Sequence, residues 1–221
     1  MGKIISFLNP KGGVGKSTCV QNIAVCFHRH WYKVLMIDAD PGQQSIVEWA
    51  QDLKGDNFPE AVILDRIAST KALSDIKGYD YVFVDGSAKT DPLLLGTLKV
   101  SDLVIIPLSP CEADVRGALK VIKAIKNYQT QNKLNACFLI NTDMPRTDLS
   151  RWIEGRLKEY DIPILKQRIS YSQIYKKTWG MPIYDAKVTT SIFDLKNKRI
   201  SKLVNEIEIL SKEIKEKLTD E

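Results

Sequence analysis

Short apolar runs alternate along this chain with segments of helical periodicity. The runs have the length of β-strands, and the alternation is typical of βα units that form a mostly parallel, twisted sheet flanked by helices. The sequence therefore predicts an α/β fold. The predicted strands are Lys3–Leu8, Lys33–Ile37, Ala61–Leu64, Tyr81–Val84, Leu103–Pro107, Ala136–Ile140 and a short one near Ile164–Leu165. The predicted helices begin at Gly15, Gln44, Asp91, Glu112, Asp148 and Ser170.

A final helix is predicted from Ile192 or Arg199 to Leu218. Two explanations fit its single apolar stripe: packing on the protein's own core, or an amphipathic membrane anchor. Residues 204–221 carry 3 basic and 6 acidic side chains and no Trp or Phe, which favours packing. The stripe comprises Ile200, Leu203, Val204, Ile207, Leu210, Ile214 and Leu218.

The length and continuity of the chain predict one domain. No repeat or long linker interrupts the 221 residues, so we expect a single domain over 1–221 with its C-terminal helix at about 199–218. The apolar runs are too short to span a bilayer. We therefore expect a cytoplasmic protein with no membrane partner.

The cysteines give no sign of a metal site or a disulfide framework. They form no C-x-x-C pair and no Cys/His cluster, which favours a reduced, metal-free intracellular protein. The four cysteines are Cys19, Cys26, Cys111 and Cys137.

A glycine-rich segment, N-P-K-G-G-V-G-K-S-T over Asn9–Thr18, lies between the first strand and the first helix. In this context glycines let backbone N–H groups approach phosphate oxygens, and the helix N-terminus adds positive potential. We expect Lys16 to neutralise the β- and γ-phosphates of ATP and the Ser17 hydroxyl to ligate Mg²⁺. The predicted nucleotide-binding residues of this loop are Gly12, Gly13, Val14, Gly15, Lys16, Ser17 and Thr18.

The loop departs from the general phosphate-loop pattern, because Pro10 stands at the first glycine position and Lys11 opens the loop. In this it resembles the deviant-Walker ATPases of the ParA/MinD group, a branch of the P-loop NTPases whose motif is K-G-G-x-x-K-[ST]. The resemblance implies a nucleotide-sandwich homodimer in which Lys11 reaches the partner's phosphates. Lys11 would then act catalytically, as an arginine finger supplied in trans does.

The second strand ends in Asp38-Ala39-Asp40-Pro41. Carboxylates at the C-terminal ends of parallel strands face the ligand crevice. The D-x-D-P run resembles the first switch of the family, which implies that Asp40 orients the attacking water and Asp38 supports Mg²⁺ or its water shell. A helix N-cap before Gln44 remains an alternative for Asp40.

The fourth strand ends in Asp85, the pattern of a Walker B aspartate that holds Mg²⁺. Gly86-Ser87 follows as a candidate second switch. This D-G form, together with Ser45 and Trp49 after the first switch, resembles the short plasmid-partition branch of the family.

Two distal residues fall where family members contact adenine. Asn141 follows the sixth strand, and Pro182 follows Gly180. The resemblance implies an adenine contact for Asn141 and Pro182, while each remains open to interpretation as a turn residue.

Positive charge is concentrated in residues 151–203, which carry 12 basic and 5 acidic side chains. Such a segment favours sequence-independent, salt-sensitive DNA binding, although a solvated lysine surface also explains it. In ParA-type proteins this region binds nonspecific DNA once the dimer forms, and Arg168 best matches a DNA-contacting arginine. The candidate DNA-binding residues are Arg168, Lys176, Lys177 and Arg199.

The resemblance implies an ATPase that converts ATP to ADP and phosphate while it partitions a plasmid or chromosome. An ATP-bound dimer would bind nucleoid DNA, and a centromere-binding ParB-type partner would stimulate hydrolysis and release. A related ATPase that positions non-DNA cargo is the principal alternative. A metal-cluster or cofactor-insertion ATPase is disfavoured by the lack of C-x-C or C-x-x-C, and a small-molecule kinase gives Lys11 no role.

Overall fold

Six parallel strands alternate with helices in the computed structural model, which describes residues 2–39, 45–52, 59–63, 76–86, 91–175 and 198–219. The predicted α/β class is confirmed. Within these ranges the elements, in chain order, are β1 (Lys3–Leu8), α1 (Lys16–Arg29), β2 (Val34–Asp38), α2 (Ser45–Asp52), β3 (Glu60–Ile63), β4 (Tyr81–Gly86), α3 (Asp91–Val100), β5 (Leu103–Leu108), α4 (Glu112–Gln129), β6 (Asn135–Ile140), α5 (Asp148–Lys158) and α6 (Lys198–Thr219).

The sheet has the strand order β3-β2-β4-β1-β5-β6, so the first strand of the chain lies near its centre. β1 pairs with β4 on one side and with β5 on the other, in registers that place Lys3 beside Tyr81 and Ile5 beside Leu103. All of these pairings are parallel. The C-terminal ends of the strands therefore meet at one edge, where open α/β sheets bind ligands.

Helices cover both faces of the sheet. Because successive strand residues point to opposite faces, every strand residue can be buried against a helix. In β1, Phe7 belongs to a buried cluster that includes residues of α1, α2 and α6, whereas Leu8 belongs to a cluster that includes residues of α3, α4 and α5. A third cluster around Ile37 and Val84 completes the core beneath β2 and β4. The buried strand residues are consequently apolar on both faces, as the continuous apolar runs in the sequence indicated.

The stripe of α6 faces the core beside α1. Ile207, Leu210 and Ile214 are fully buried in the same cluster as Val20 and Ile23 of α1. The structure thus shows the packing explanation for this amphipathic helix. Among the described helices, none combines the length and apolar composition needed to cross a bilayer.

One predicted element is wrong and one begins later than predicted, although the other described boundaries agree to within about two residues. Ile164 forms only an isolated bridge to Phe138 instead of a strand. The helix predicted to begin at Ser170 instead begins at Ile174, near the end of this described range, because Ser170 bridges to Asp143 in an extended conformation. The backbone N–H and the hydroxyl of Ser170 both donate to Glu206 of α6, at 3.0 and 2.6 Å, which holds the chain extended.

Candidate nucleotide-binding site

The loop between β1 and α1 has the backbone conformation that an anion cradle requires. Gly13 and Gly15 have φ values of 79° and 83°, a left-handed region that glycine adopts without steric cost. Gly15 stands at the N-cap of α1, and in this fully described turn no side chain caps the helix and its first turn contains no acidic residue. The positive end of α1 is therefore available to a phosphate group.

The glycines of the loop divide into two kinds. A Cβ atom added to Gly12 or Gly13 would meet nothing within 4 Å, so these positions border open space. A Cβ added to Gly15 would lie 2.2 Å from Asn141 Nδ2, so Gly15 is required by close packing as well as by its φ value. The open side of the loop is therefore the side on which the predicted nucleotide phosphate would lie.

Two buried asparagines hold the loop from opposite ends. Asn9 Nδ2 donates to the Pro107 carbonyl at 2.9 Å, and Asn9 Oδ1 accepts from the Lys11 N–H at 3.0 Å. Asn141 Nδ2 donates to the Val14 carbonyl at 2.9 Å, and its Oδ1 accepts from the Thr142 N–H. Both asparagines lie at the carboxyl ends of strands, so the sheet fixes the loop. The adenine contact assigned to Asn141 stays a prediction.

The two lysines of the loop point to different partners. Lys16 Nζ donates to the Lys11 carbonyl at 3.1 Å, so its ammonium group lies against the predicted phosphate-binding loop. Lys11 Nζ donates to Asp114 Oδ1 in the first turn of α4. This hydrogen bond raises the pKa of Lys11 above its ordinary value. Lys11 therefore remains fully protonated at neutral pH.

Asp38 and Asp85 lie side by side at the same edge of the sheet. They are register partners on β2 and β4, and their side chains are almost completely buried. Asp38 Oδ2 accepts a 2.9 Å hydrogen bond from the Ile46 N–H in α2. Asp85 is also paired with Phe7 of β1, two residues before Asn9. The sheet thus brings both predicted metal-binding carboxylates to the base of the loop.

The oxygen groups at this edge fit a magnesium ion. Carboxylates and hydroxyls are its preferred protein ligands, and in nucleotide sites it usually retains waters and shares the phosphate oxygens. Ser17, in the first turn of α1, Asp38 and Asp85 supply such groups. Within the described part of the chain, no cluster of three or more His, Cys, Asp or Glu side chains forms a metal site by itself.

Arg168 is largely engaged inside the protein. Its guanidinium group donates to Ser150 Oγ at 2.9 Å and to Glu154, and it lies 3.6 Å from Asp143 Oδ2. A quarter of the side chain is exposed. These contacts join α5 to the segment that follows it. The DNA contact assigned to Arg168 stays a prediction.

Several predicted site residues lie outside the described part of the chain. These are Asp40, Lys176, Lys177 and Pro182, together with the side chain of Arg199. Conversely, the sequence alone does not indicate a role for Asn9 or Asp114 at this site. An asparagine after a strand and an aspartate in the first turn of a helix are both common, so neither residue signals its contact with the loop.

Comparison with known proteins gives one family match. The family model described as the CobQ/CobB/MinD/ParA nucleotide-binding domain matches residues 5–178, which is more than half of the chain.

Individual relatives are distant in sequence but similar over most of their length. The maintenance of carboxysome distribution protein A of Halothiobacillus neapolitanus is 24% identical over 179 residues, covering 78% of this chain and 81% of the relative. A Borrelia burgdorferi B31 protein assigned to plasmid partition, solved with AMPPNP, has a TM-score of 0.72 and 21% identity over 98% and 100% of the two chains. Mycobacterium smegmatis cobyrinic acid a,c-diamide synthase, solved with an ATP analogue and magnesium, has a TM-score of 0.71 and 19% identity over 100% and 96%.

Proposed function

The chain belongs to the CobQ/CobB/MinD/ParA nucleotide-binding family, and we propose that it is a ParA-type ATPase that partitions DNA. The observation that best supports this proposal is the phosphate loop, which Lys11 opens. This loop lies at the edge of the sheet beside Asp38 and Asp85. A loop lysine outside the phosphate-binding turn has a catalytic role if it serves a second protomer. The proposal therefore includes an ATP-dependent homodimer.

The residues of the site divide the work of phosphate binding. The backbone N–H groups of the glycines and the start of α1 would hold the β-phosphate, and Lys16 would neutralise the β- and γ-phosphates. Ser17, Asp38 and Asp85 would hold magnesium, which when bound neutralises charge on the phosphate oxygens. Asp40, outside the described residues, would orient the attacking water.

DNA binding and release would follow from the nucleotide state. A dimer doubles the number of basic side chains presented to a duplex, and the basic segment 151–203 supplies them. A centromere-binding ParB-type partner would stimulate hydrolysis and so release the protein from the nucleoid. Under this proposal the protein is cytoplasmic and nucleoid-associated, and membrane binding plays no part.

A second candidate function is positioning of a non-DNA cargo. One relative is named for carboxysome distribution, and the guanidinium group of Arg168 is already engaged by Ser150 and Glu154. Both functions would use the same nucleotide cycle. They differ in whether the ATP-bound protein binds duplex DNA.

The nucleotide cycle is tested by substituting the two loop lysines. Lys16→Ala should abolish ATP binding, measured by calorimetry, because the β- and γ-phosphates lose their neutralising charge. Lys11→Ala should retain ATP binding and lose hydrolysis, measured as phosphate release. Normal nucleotide affinity in Lys16→Ala, or full hydrolysis in Lys11→Ala, would contradict the proposal.

DNA binding is tested by filter binding of two unrelated duplexes with ADP and with a slowly hydrolysed ATP analogue. We expect analogue-dependent binding to both duplexes, and if about six phosphates are neutralised, a log–log salt slope near −5. The variant with Lys176→Glu and Lys177→Glu should bind weakly, while Lys133→Glu, at an exposed lysine in the loop before β6, serves as the charge control. Equal, negligible binding in both nucleotide states would favour the non-DNA cargo.

A further inference from the structure

The Lys11 ammonium group is held by a fixed carboxylate of its own chain. Lys11 Nζ donates to Asp114 Oδ1, and Asp114 is only 5% exposed. The other oxygen, Asp114 Oδ2, accepts from the Ser109 N–H at 3.0 Å, and the Asp114 N–H donates to the Cys111 carbonyl at 3.0 Å. Asp114 is therefore immobilised on both its side chain and its backbone. This distinguishes the contact from a mobile surface ion pair.

The aliphatic part of Lys11 lies against the same helix. A Cβ atom added to Gly117, one turn after Asp114 in α4, would lie 3.0 Å from Lys11 Cβ and 3.4 Å from Lys11 Cδ. The Lys11 backbone is fixed as well, because its N–H donates to Asn9 and its carbonyl accepts from Lys16. Helix α4 thus provides the Asp114 carboxylate for the Lys11 ammonium group, and space at Gly117 for the aliphatic part of the Lys11 side chain.

We propose that Asp114 is a positioning residue that holds Lys11 against α4 in the nucleotide-free protomer, and that ATP-dependent dimerisation must separate this pair. The inference rests on the proposed function, in which Lys11 acts on the nucleotide of the partner. The phosphate oxygens of the nucleotide on the other protomer compete with Asp114 for the ammonium group of Lys11. Separation leaves a buried carboxylate without its cation, which is unfavourable. Asp114 therefore sets a threshold for dimer formation.

Two substitutions weaken, by different means, the restraint that α4 places on the Lys11 side chain. Asp114→Asn removes the charge but keeps an oxygen for the Ser109 N–H, and Gly117→Ala displaces the Lys11 stem without changing any charge. Both should lower the ATP-analogue concentration at half-maximal dimerisation, measured by light scattering. The expected change for Asp114→Asn is about fivefold per protomer, the upper range for a partly exposed ion pair. Nucleotide-free Lys11 should also react faster with an amine reagent, quantified by peptide mass spectrometry.

Each substitution has a matched control. Glu112→Gln removes a partly buried carboxylate from the same first turn of α4, where Glu112 pairs with Arg116 and Arg156 rather than with the loop. Gly155→Ala adds a methyl group to α5 at a position with nothing within 4 Å. Neither control should change the dimerisation midpoint or the labelling of Lys11. Thermal melts establish that every variant is folded.

The effect should also depend on Lys11 itself. Lys11→Ala and the double variant Lys11→Ala with Asp114→Asn should behave alike, because the restrained group is absent from both. The proposed restraint is refuted if Asp114→Asn and Gly117→Ala change neither dimerisation nor Lys11 labelling. That result would leave the proposed function intact. Normal dimerisation and hydrolysis in Lys11→Ala would instead refute the role of Lys11 in trans, and the restraint with it.

Discussion

Asp38 and Asp85 are register partners on neighbouring parallel strands, so their buried carboxyl groups project from the same edge of the sheet. Two such carboxylates repel each other unless a cation or a proton compensates one of them. The Ile46 N–H binds one oxygen of Asp38 and offsets part of this cost. Under the proposed function this pair would share a divalent cation, and substitution of one member tests ion binding apart from folding.

Asp85→Asn should keep the fold and lose the dependence of nucleotide affinity on magnesium. The amide has the same shape but carries no charge, so apparent magnesium affinity should fall about 10- to 100-fold. In EDTA the variant should remain folded and melt cooperatively, because the amide has the shape of the carboxylate that it replaces. Calorimetric titrations with and without MgCl₂ and thermal melts measure these effects. Asp161→Asn, an isosteric change at an exposed position, is the control. If nucleotide binding by Asp85→Asn depended on magnesium as in the wild type, Asp85 would not be a magnesium ligand.

Gly15→Ala should destabilise the protein even without nucleotide. A non-glycine residue at a φ of 83° is strained, and the new methyl group would meet Asn141 Nδ2 at 2.2 Å. We expect a loss of about 1–3 kcal/mol in the free energy of unfolding, measured by urea denaturation. Gly12→Ala, with nothing within 4 Å of the added Cβ, should change that free energy little. Equal stability of the two variants would show that the loop relaxes freely around Gly15.

The sequence predicted the loop and its carboxylates because they are local signals. Apolar strands followed at once by glycines or by aspartate identify ligand-binding strand ends, and parallel pairing brings those ends together. The contact between Lys11 and Asp114 could not be predicted in this way, since the residues are 103 positions apart and no periodicity links them. The late start of the helix expected at Ser170 has a similar cause, because the Ser170 N–H donates to Glu206 of a distant helix.

Arg168→Gln should destabilise the protein, whatever its effect on DNA binding. The substitution leaves Asp143, which is 3% exposed, and Glu154 without the cation that now lies between them. Loss of charge-assisted hydrogen bonds of this kind costs about 1–3 kcal/mol in the free energy of unfolding. Arg168→Lys should recover only part of the loss, because one ammonium group cannot reproduce the planar guanidinium contacts.

Urea denaturation measures this effect, with Lys166→Gln at a neighbouring exposed position as the control. Wild-type stability in Arg168→Gln would indicate that the network with Ser150 and Glu154 contributes little. DNA binding should therefore be compared only among variants of equal stability. For that comparison, Lys176 and Lys177 are better targets than Arg168.

The four thiols should differ sharply in reactivity. Cys19, Cys26 and Cys137 are buried, and burial raises the pKa of each, to about 11 for Cys137. Cys111, at the N-cap of α4, is exposed. Because the thiolate is the reactive form, iodoacetamide at pH 8 should modify one thiol per native chain and four in denaturant. Mass spectrometry checks the count, and Cys111→Ser should reduce the native count to zero; rapid modification of two or more thiols would contradict the buried placement.

The glycine-rich segment begins at the ninth residue, yet the groups that brace it come from far along the chain. Asn9 binds the Pro107 carbonyl, and Val14 is bound by Asn141. At ribosomal rates of about 5–20 residues per second, roughly 7–26 seconds separate the synthesis of Asn9 from that of Asn141. A nascent chain that has exposed only β1 and α1 therefore carries the motif without its scaffold. Stalled chains that end before β6 should therefore bind ATP poorly, because the loop still lacks the hydrogen bond from Asn141.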